Sequence, residues 1–385
     1  MRTAGESHGP CLTTLIEGMP AGVTVDTDFI DAELARRQQG YGRGARQRIE
    51  SDHVQVTAGV RRGLTTGAPI VLSIANKDSR LDDAVRTPPI HRPRPGHADL
   101  AGCMKWLTDD CRNTLERASA RETAARVAGC ALVRCLLREF EIEAFGFVRG
   151  AIDAWSTVQV TRDGWQALRA ARDASEVACP DAAISAEIIQ HIHYAKVEKD
   201  TVGGLCEVHV FGVPPGLGTC VASDERLDAR IAGAVMGIQA FKSVEIGLGR
   251  AVTERFGSQV HDPIHLDRTR SHESHLGFER ATNNAGGIEG GMTNGMPVVV
   301  KGGMKPISTL LRGLPSVDLQ TGGDARSDYE RSDISAVAAA SVVMENVVAF
   351  EIARAFLEKH GGDTMDEVHA QFDSWRRLAM PSSGA

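Results

Sequence analysis

SARETAARVAGCALVRCLLREF, Ser119 to Phe140, is where the architecture of this chain first declares itself. From Glu122 onward its apolar residues recur at helical spacing. Ser119 and Glu122 set out the S-x-x-E pattern of a capping box, which predicts a helix start at that point. The same spacing returns in Phe29–Gln39, Leu227–Val244 and Ile334–Lys359, and Gly40 stands where a C-cap glycine would end the first of these. Between the helices lie short alternating runs expected as half-buried strands: Leu12–Glu17, His53–Val60, Pro69–Ala75, Glu207–Val213 and Pro297–Lys301. Strands and long helices interleave without a regular βαβ rhythm, so the expected class is α+β with antiparallel sheets. No low-complexity linker or solenoid-period repeat divides the chain, and one domain over residues 1–385 is the simpler reading. The polar Arg162–Pro180 segment is expected to be a surface excursion.

Composition narrows the function. A net charge of −7 argues against a general binder of nucleic acid or acidic membrane. Arg supplies 35 of the 43 basic residues, either because its planar fork suits phosphate and carboxylate or because the coding sequence is GC-rich. The eight cysteines include no CxxC and no Cys/His spacing of a zinc site, so they read as thiols in a reducing compartment. The N-terminal residues lack the apolar core of a signal peptide, and the apolar Ile334–Phe356 stretch is interrupted by Glu345, Asn346 and Glu351, which predicts a core helix. Cytoplasm is the expected location.

The glycine-rich stretches do not make a nucleotide site by themselves. Gly40–Gly44 follows a helix and is not GxGxxG, and no P-loop pattern occurs. Gly286–Gly295 either lets backbone approach a ligand closely or forms a chain of turns.

Four segments concentrate reactive side chains. His8, between Ser7 and Gly9, is placed to protonate a leaving oxygen, or is a capped surface histidine. Arg36, Arg37, Arg43, Arg46 and Arg48 repel one another unless anions neutralise them; a solvated basic surface and an RNA-contacting patch are the alternatives, with Tyr41 the one aromatic among them. Prolines in Arg92–Asp99 make a stiff approach to His97, and Arg117 and Arg121 flank the helix start at Ser119, which equally suits a phosphate site or a well-capped helix with surface arginines. Asp333 or Ser332 could be merely an N-cap, but Arg331, Ser332 and Asp333 repeat that chemistry at a second helix start, which favours the functional reading.

Eight motifs in order then resemble one family. GESHG (Gly5–Gly9), LARRQQGYGRGAR (Leu34–Arg46), RPRPGHAD (Arg92–Asp99), LERASARETAARVA (Leu115–Ala128), MGIQAFKSVEIG (Met236–Gly247), NNAGGIEGGMTNG (Asn283–Gly295), MKPISTL (Met304–Leu310) and RSDISAVAAASVVMEN (Arg331–Asn346) look like the successive motifs of chorismate synthase. The resemblance implies a single large α+β domain, with long helices sandwiched between antiparallel sheets, assembled as a homotetramer. It implies a lyase that converts 5-enolpyruvylshikimate 3-phosphate to chorismate by 1,4-anti elimination of phosphate and a C6 hydrogen, the last step of the shikimate pathway. The family needs reduced FMN (FMNH2) although no net oxidation occurs.

Carried over by motif position, the catalytic residues are His8 at the substrate phosphate, His97 at the flavin pyrimidine edge and Asp333 near flavin N5. Substrate binding falls to His8, Arg37, Arg43, Arg46, Ser119, Arg121 and Arg331. Flavin contacts fall to Arg117, Ala118, Ser119, Gln239, Ala240, Gly290, Lys305, Pro306, Ile307, Ser308, Thr309 and Arg331. Relative to the family the chain begins a few residues late, so a shortened first strand is expected. Some members also reduce their own flavin with NADPH, in which case Arg37 and Arg43 would meet that cofactor's phosphates; with no dinucleotide fingerprint or reductase domain in the sequence, an external flavin reductase is the expected source. No membrane or nucleic-acid partner is expected.

Overall fold

The computed structural model describes residues 1–44, 50–330 and 333–379. Two antiparallel sheets enclose the long helices, as expected for the α+β class. The first has the strand order Arg2–Ala4, Cys11–Ile16, Ile70–Ala75, Gln55–Ala58. Leu12 pairs with Ile74, Thr14 with Leu72 and Ile16 with Ile70, so all six point to one buried face. The period-2 alternation that announced these strands is thus the burial of one side only.

The helices among the described residues are α1 (Thr27–Gln38), α2 (Asp99–Trp106), α3 (Arg112–Ala118), α4 (Thr123–Arg138), α5 (Trp165–Asp173), α6 (Ala182–Val197), α7 (Leu227–Met236), the single turn α8 (Gly257–Val260), α9 (Val337–Lys359) and α10 (Met365–Ala379). Helix α4 lies on the first sheet at close range. A Cβ on Gly129 would come within 2.6 Å of Thr14 Cγ2, and the Thr14 hydroxyl donates to the Ala125 carbonyl at 2.6 Å. On its other side α4 packs against α1 and α9.

Helix α9 faces the second sheet, of order Phe241–Ile246, Val298–Met304, Gly204–Phe211, Glu143–Ala151, Ala154–Trp155. Glycines bring helix and sheet together: a Cβ on Gly146 would sit 2.7 Å from Glu345 Cβ, and one on Gly302 2.9 Å from Met344 Sδ. The result is sheet, helices, sheet, with the helices doubly buried.

Three sequence expectations are corrected. Leu227–Val244 is not one helix: α7 stops at Met236, Ala240 takes φ +70°, and Phe241–Ile246 is a strand. The capping box does not close. Ser119 accepts from the Arg121 N–H and caps a single 3₁₀ turn, Ala120–Glu122, whereas the Glu122 carboxylate turns away to Thr3, Arg126 and Gln239. The last long helix begins at Val337, so Asp333 is not its N-cap.

The 162–180 segment runs along the outer face of the second sheet but reaches inward. Trp165 packs with Phe145, Phe147 and Phe211, and Arg172 is buried. Arg172 Nη1 binds the Gly146 carbonyl at 2.8 Å and Glu345 at 3.0 Å. It joins a buried cluster in which Glu33 and Glu345 hold Arg36, Arg134 and Arg172, with Asn346 donating to Glu33 at 2.7 Å.

Candidate active site

The turn between the first two strands carries His8, and α3 passes beneath it. Glu116 of α3 accepts from the His8 backbone N–H at 2.9 Å and meets its Nδ1 at 2.9 Å. Nε2 faces Arg80 Nη2 at 3.2 Å and Asp78 at 3.7 Å. His8 is therefore not a loose surface histidine; it is buried, with both ring nitrogens engaged.

Asn76, at the end of the Ile70–Ala75 strand, fastens the same turn by donating to the carbonyls of Glu6, Ser7 and Gly9. Its own carbonyl accepts from Arg121 Nε at 2.9 Å. Arg121 then grips both oxygens of Asp52, at 2.7 and 2.8 Å, and Arg37 Nη2 reaches the same carboxylate at 2.7 Å. All three side chains are buried. Burial pushes the Arg37 guanidinium down to about 10, against the pull of Asp52 and with the help of Arg121 and Arg43. Two buried cations share this one carboxylate, with the buried Glu50 carboxylate as a second anion near Arg121. Arg37 Nε and Arg121 Nη2 find no hydrogen-bond acceptor among the described residues, though Glu50 lies 3.7 Å from Arg121. Ser119 Oγ donates to Ser7 Oγ at 3.1 Å, closing the ring of contacts back to the His8 turn.

The glycine loop after α1 ends on Asp333. One carboxylate oxygen pairs with Arg43 at 2.7 Å and the other accepts from the Gly44 N–H at 2.6 Å. Arg36, Arg37 and Arg43 are thus turned inward onto carboxylates, which corrects the alternatives of a solvated basic surface and an RNA-contacting patch for these three. Arg46, Arg48, Arg331 and Ser332 lie outside the described residues.

A second constellation surrounds His97, on the approach to α2. Its Nδ1 is hydrogen-bonded to Asp99, whose other oxygen takes Arg94 Nε at 2.8 Å. Asp99 is wholly buried; burial alone would raise its carboxyl, but the bonds from His97 and Arg94 hold it far below the usual carboxylate range. Arg94 Nη1 continues to Thr309 Oγ1 at 2.9 Å. A Cβ on Gly96 would lie 3.6 Å from Ser308 and 3.8 Å from Lys305 Nζ, so the Lys305–Thr309 segment borders this histidine. Lys305 N–H donates to the Ala240 carbonyl, Thr201 holds the Ile307 carbonyl, and Gln239 Nε2 donates to Glu122. Pro306 is exposed at the surface of this segment.

The two constellations share a support, because α2 and α3 touch. A Cβ on Gly102 of α2 would overlap Thr114 of α3, at 2.1 Å from its Oγ1.

The residues around Lys305 fit an anionic ligand with hydrogen-bond donors, as FMN is. Gln239 Oε1 is buried without a hydrogen-bond donor among the described residues. Burial, then Lys242, push the Lys305 ammonium down, and no carboxylate pairs with it among the described residues. Arg117 is exposed and bound to the Thr3 and Gly5 carbonyls, and Ala118 is half-buried beside it. Gly290 stands at the tip of the Ile288–Glu289/Met292–Thr293 hairpin, where an added Cβ would meet no described atom within 4 Å. No hydrogen bond or ion pair among the described residues ties it to either histidine.

Sequence reasoning did not assign roles to Asp52, Asn76, Arg80, Asp99 or Glu116. Asp99 stands inside the RPRPGHAD motif, two residues from His97, and was findable there. Glu116 is 108 residues from His8, and only the fold brings them together.

The chain is similar to known proteins over almost all of its length. A family model described as chorismate synthase matches residues 1–357. A chorismate synthase of Desulforamulus reducens is 48% identical, covering 97% of each chain, and one of Desulforudis audaxviator is 50% identical, covering 97% of this chain and 96% of its own. A crystal structure of a chorismate synthase superposes with a TM-score of 0.80 at 38% identity, covering 98% of this chain and 97% of that one.

Proposed function

The chain belongs to the chorismate synthase family and is a lyase of that class, and from that premise we propose that it takes 5-enolpyruvylshikimate 3-phosphate and reduced FMN at the two histidine constellations. The observation that carries this reading is the pair of buried guanidiniums, Arg37 and Arg121, sharing one carboxylate and linked through Asn76 to the His8 turn, with an N–H on each that meets no acceptor among the described residues. Such donors suit a substrate that brings both phosphate and carboxylates.

In this reading Ser119, Arg37, Arg121, Arg43, Arg46 and Arg331 bind the anionic groups of the substrate. His8, once Nε2 carries a proton in place of the Arg80 contact, gives that proton to the departing phosphate oxygen. Reduced flavin, when bound, supplies an electron-rich ring that assists the departure of phosphate without net oxidation. Arg117, Ala118, Ser119, Gln239, Ala240, Gly290, Arg331 and the Lys305–Thr309 segment would hold it, with His97 at its pyrimidine edge. Asp333 would assist removal of the C6 proton. It is engaged by Arg43 and Gly44, so a substrate carboxylate that draws Arg43 away also frees Asp333.

The same reading places the protein in the cytoplasm as a homotetramer supplied with reduced flavin by an external reductase. Its eight unpaired thiols suit a reducing compartment. Among the described residues no helix is long and apolar enough to cross a membrane. Arg37 and Arg43, which NADPH binding would require, are held by Asp52 and Asp333, and no observation favours that use over substrate binding.

The test is anaerobic incubation of the protein with 5-enolpyruvylshikimate 3-phosphate and chemically reduced FMN. Equal release of chorismate and phosphate, absent with oxidised FMN, is the expected result. Binding of both ligands without product refutes the assignment.

A further inference from the structure

Residues 7 and 8 are attached to α3 by one side chain and its own backbone. The Glu116 carbonyl accepts from the Ser7 N–H at 3.0 Å, Glu116 Oε2 accepts from the His8 N–H at 2.9 Å, and Glu116 Oε1 lies 2.9 Å from His8 Nδ1. The carboxylate is fully enclosed, and Arg112, one turn earlier at 3.6 Å, supplies its countercharge. Arg112 is itself fixed by the Pro88 carbonyl at 2.8 Å and by Glu330 at 3.0 Å, so the support does not swing.

Of the groups at His8 Nδ1, this carboxylate can only accept a hydrogen bond when ionised. Burial would raise its carboxyl, but the bonds from His8 and the charge of Arg112 hold it low, so it stays ionised. The Nδ1 position must therefore carry the proton, whatever happens at Nε2. We propose that Glu116 is a positioning residue for His8: it fixes the Nδ1–H form of the ring, locks ring and backbone with its two oxygens, and presents Nε2 as the nitrogen that exchanges a proton with the phosphate. This inference rests on the role given to His8 above. Arg80 and Asp78, which flank Nε2, belong to the same presentation.

The alternative is that Glu116 merely staples the turn to α3, and the two differ in what an amide does there. Glu116 Oε2 also lies 3.0 Å from His8 Nδ1, so in Gln at 116 a single neutral oxygen serves both donors and the ring loses its second, charged acceptor. If Glu116 sets the ring, Glu116→Gln lowers kcat by about 10²–10⁴-fold with KM little changed, the range for a misplaced proton-transfer group. The double variant with His8→Ala is then no slower than His8→Ala alone, because both changes remove one function. ¹⁵N spectra of His8 are expected to show Nδ1–H in the parent protein and a mixture of tautomers in the variant. A near-parental kcat for Glu116→Gln, fully additive losses in the double variant, or an unaltered tautomer would each overturn the proposal. Should Glu116→Gln fail to fold, Glu116→Asp keeps both acceptors but withdraws them, and the same three readouts apply. The spectra require no turnover, so loss of the parental activity reading and loss of this proposal are separately visible.

Discussion

Replacing Asp52 by Asn tests the electrostatic centre of the site. The carboxylate receives three bonds from Arg37 and Arg121, and all three residues are buried. Burial would raise its carboxyl, but the two guanidiniums hold it below the ordinary value. Asn keeps the shape, offers a single acceptor oxygen, and turns an amide N–H₂ toward a cation. Removing one partner of a buried ion pair destabilises by about 3–5 kcal/mol. An unfolding entropy of about 2.1 cal/mol/K per residue gives about 0.8 kcal/mol/K for 385 residues, so Tm should fall by about 4–6 °C. The loss has a second signature. In the variant Arg37 loses its carboxylate partner and Arg121 keeps only Glu50 at 3.7 Å, so a substrate with phosphate and carboxylates supplies more than it does in the parent. Saturating substrate at about 100 Kd stabilises any binder by about 2.7 kcal/mol, and tighter binding by the variant adds to that. Differential scanning fluorimetry with and without substrate should therefore show the Tm gap narrowing when ligand is present. An unchanged Tm in the absence of ligand would mean that Asp52 is not the counterion; a gap that substrate leaves untouched would mean that the arginines do not face the ligand.

The other expectations concern separate parts of the molecule. Asp99→Asn should lower single-turnover chorismate formation by about 10²–10⁴-fold by releasing the His97 tautomer; turnover equal to the parent's would remove His97 from the proton-transfer machinery. Gly146→Ala forces a Cβ to 2.7 Å from Glu345 Cβ and should destabilise by about 1–3 kcal/mol, read from urea midpoints. His360 is packed among Phe356, Phe372 and Trp375, its Nε2 without a hydrogen-bond partner among the described residues, and burial, then Lys359, push it down to about 4. The folded form binds fewer protons than the unfolded one, so the His360 contribution is complete above about pH 6.5 and is lost as pH falls toward 4. Trp375 fluorescence should report a loosening of α10 over that window, and His360→Phe should flatten it.

How far the sequence could be read depended on which side of each element meets water. The Cys11–Ile16 and Ile70–Ala75 strands bury one face and announce themselves by alternation. Glu143–Ala151 went unread because both of its faces are covered: Gly146 and Val148 by α9, Phe145 and Phe147 by Trp165 and Phe211. Its pattern is continuous rather than alternating. Leu227–Val244 kept helical spacing through a break that only the left-handed Ala240 reveals. In the site, His8, His97 and the arginines were legible because each lies in a dense local motif. Asp52, Glu116 and Asn76 were not, since each acts on a partner that the chain places far away and only packing brings near. Asp333 was singled out from its local motif, but its partners Arg43 and Gly44 lie across the fold and only packing shows them.

The buried cluster of Glu33, Arg36, Arg134, Arg172 and Glu345 also bears on how the chain is made. The two buried acids are shared among three guanidiniums, with the exposed Asp173 a further partner of Arg172 at 2.7 Å, and an ion buried without its partners is expensive. Arg36 and Glu345 are 309 residues apart, which at about 5–20 residues per second of synthesis is a wait of about 15–60 s. Until α9 emerges, α1, α4 and α5 carry charges that the nascent chain has reason to keep in water. The first sheet and its helices therefore seat late, together with α9, and a chain cut short before Glu345 should remain open and accessible to protease.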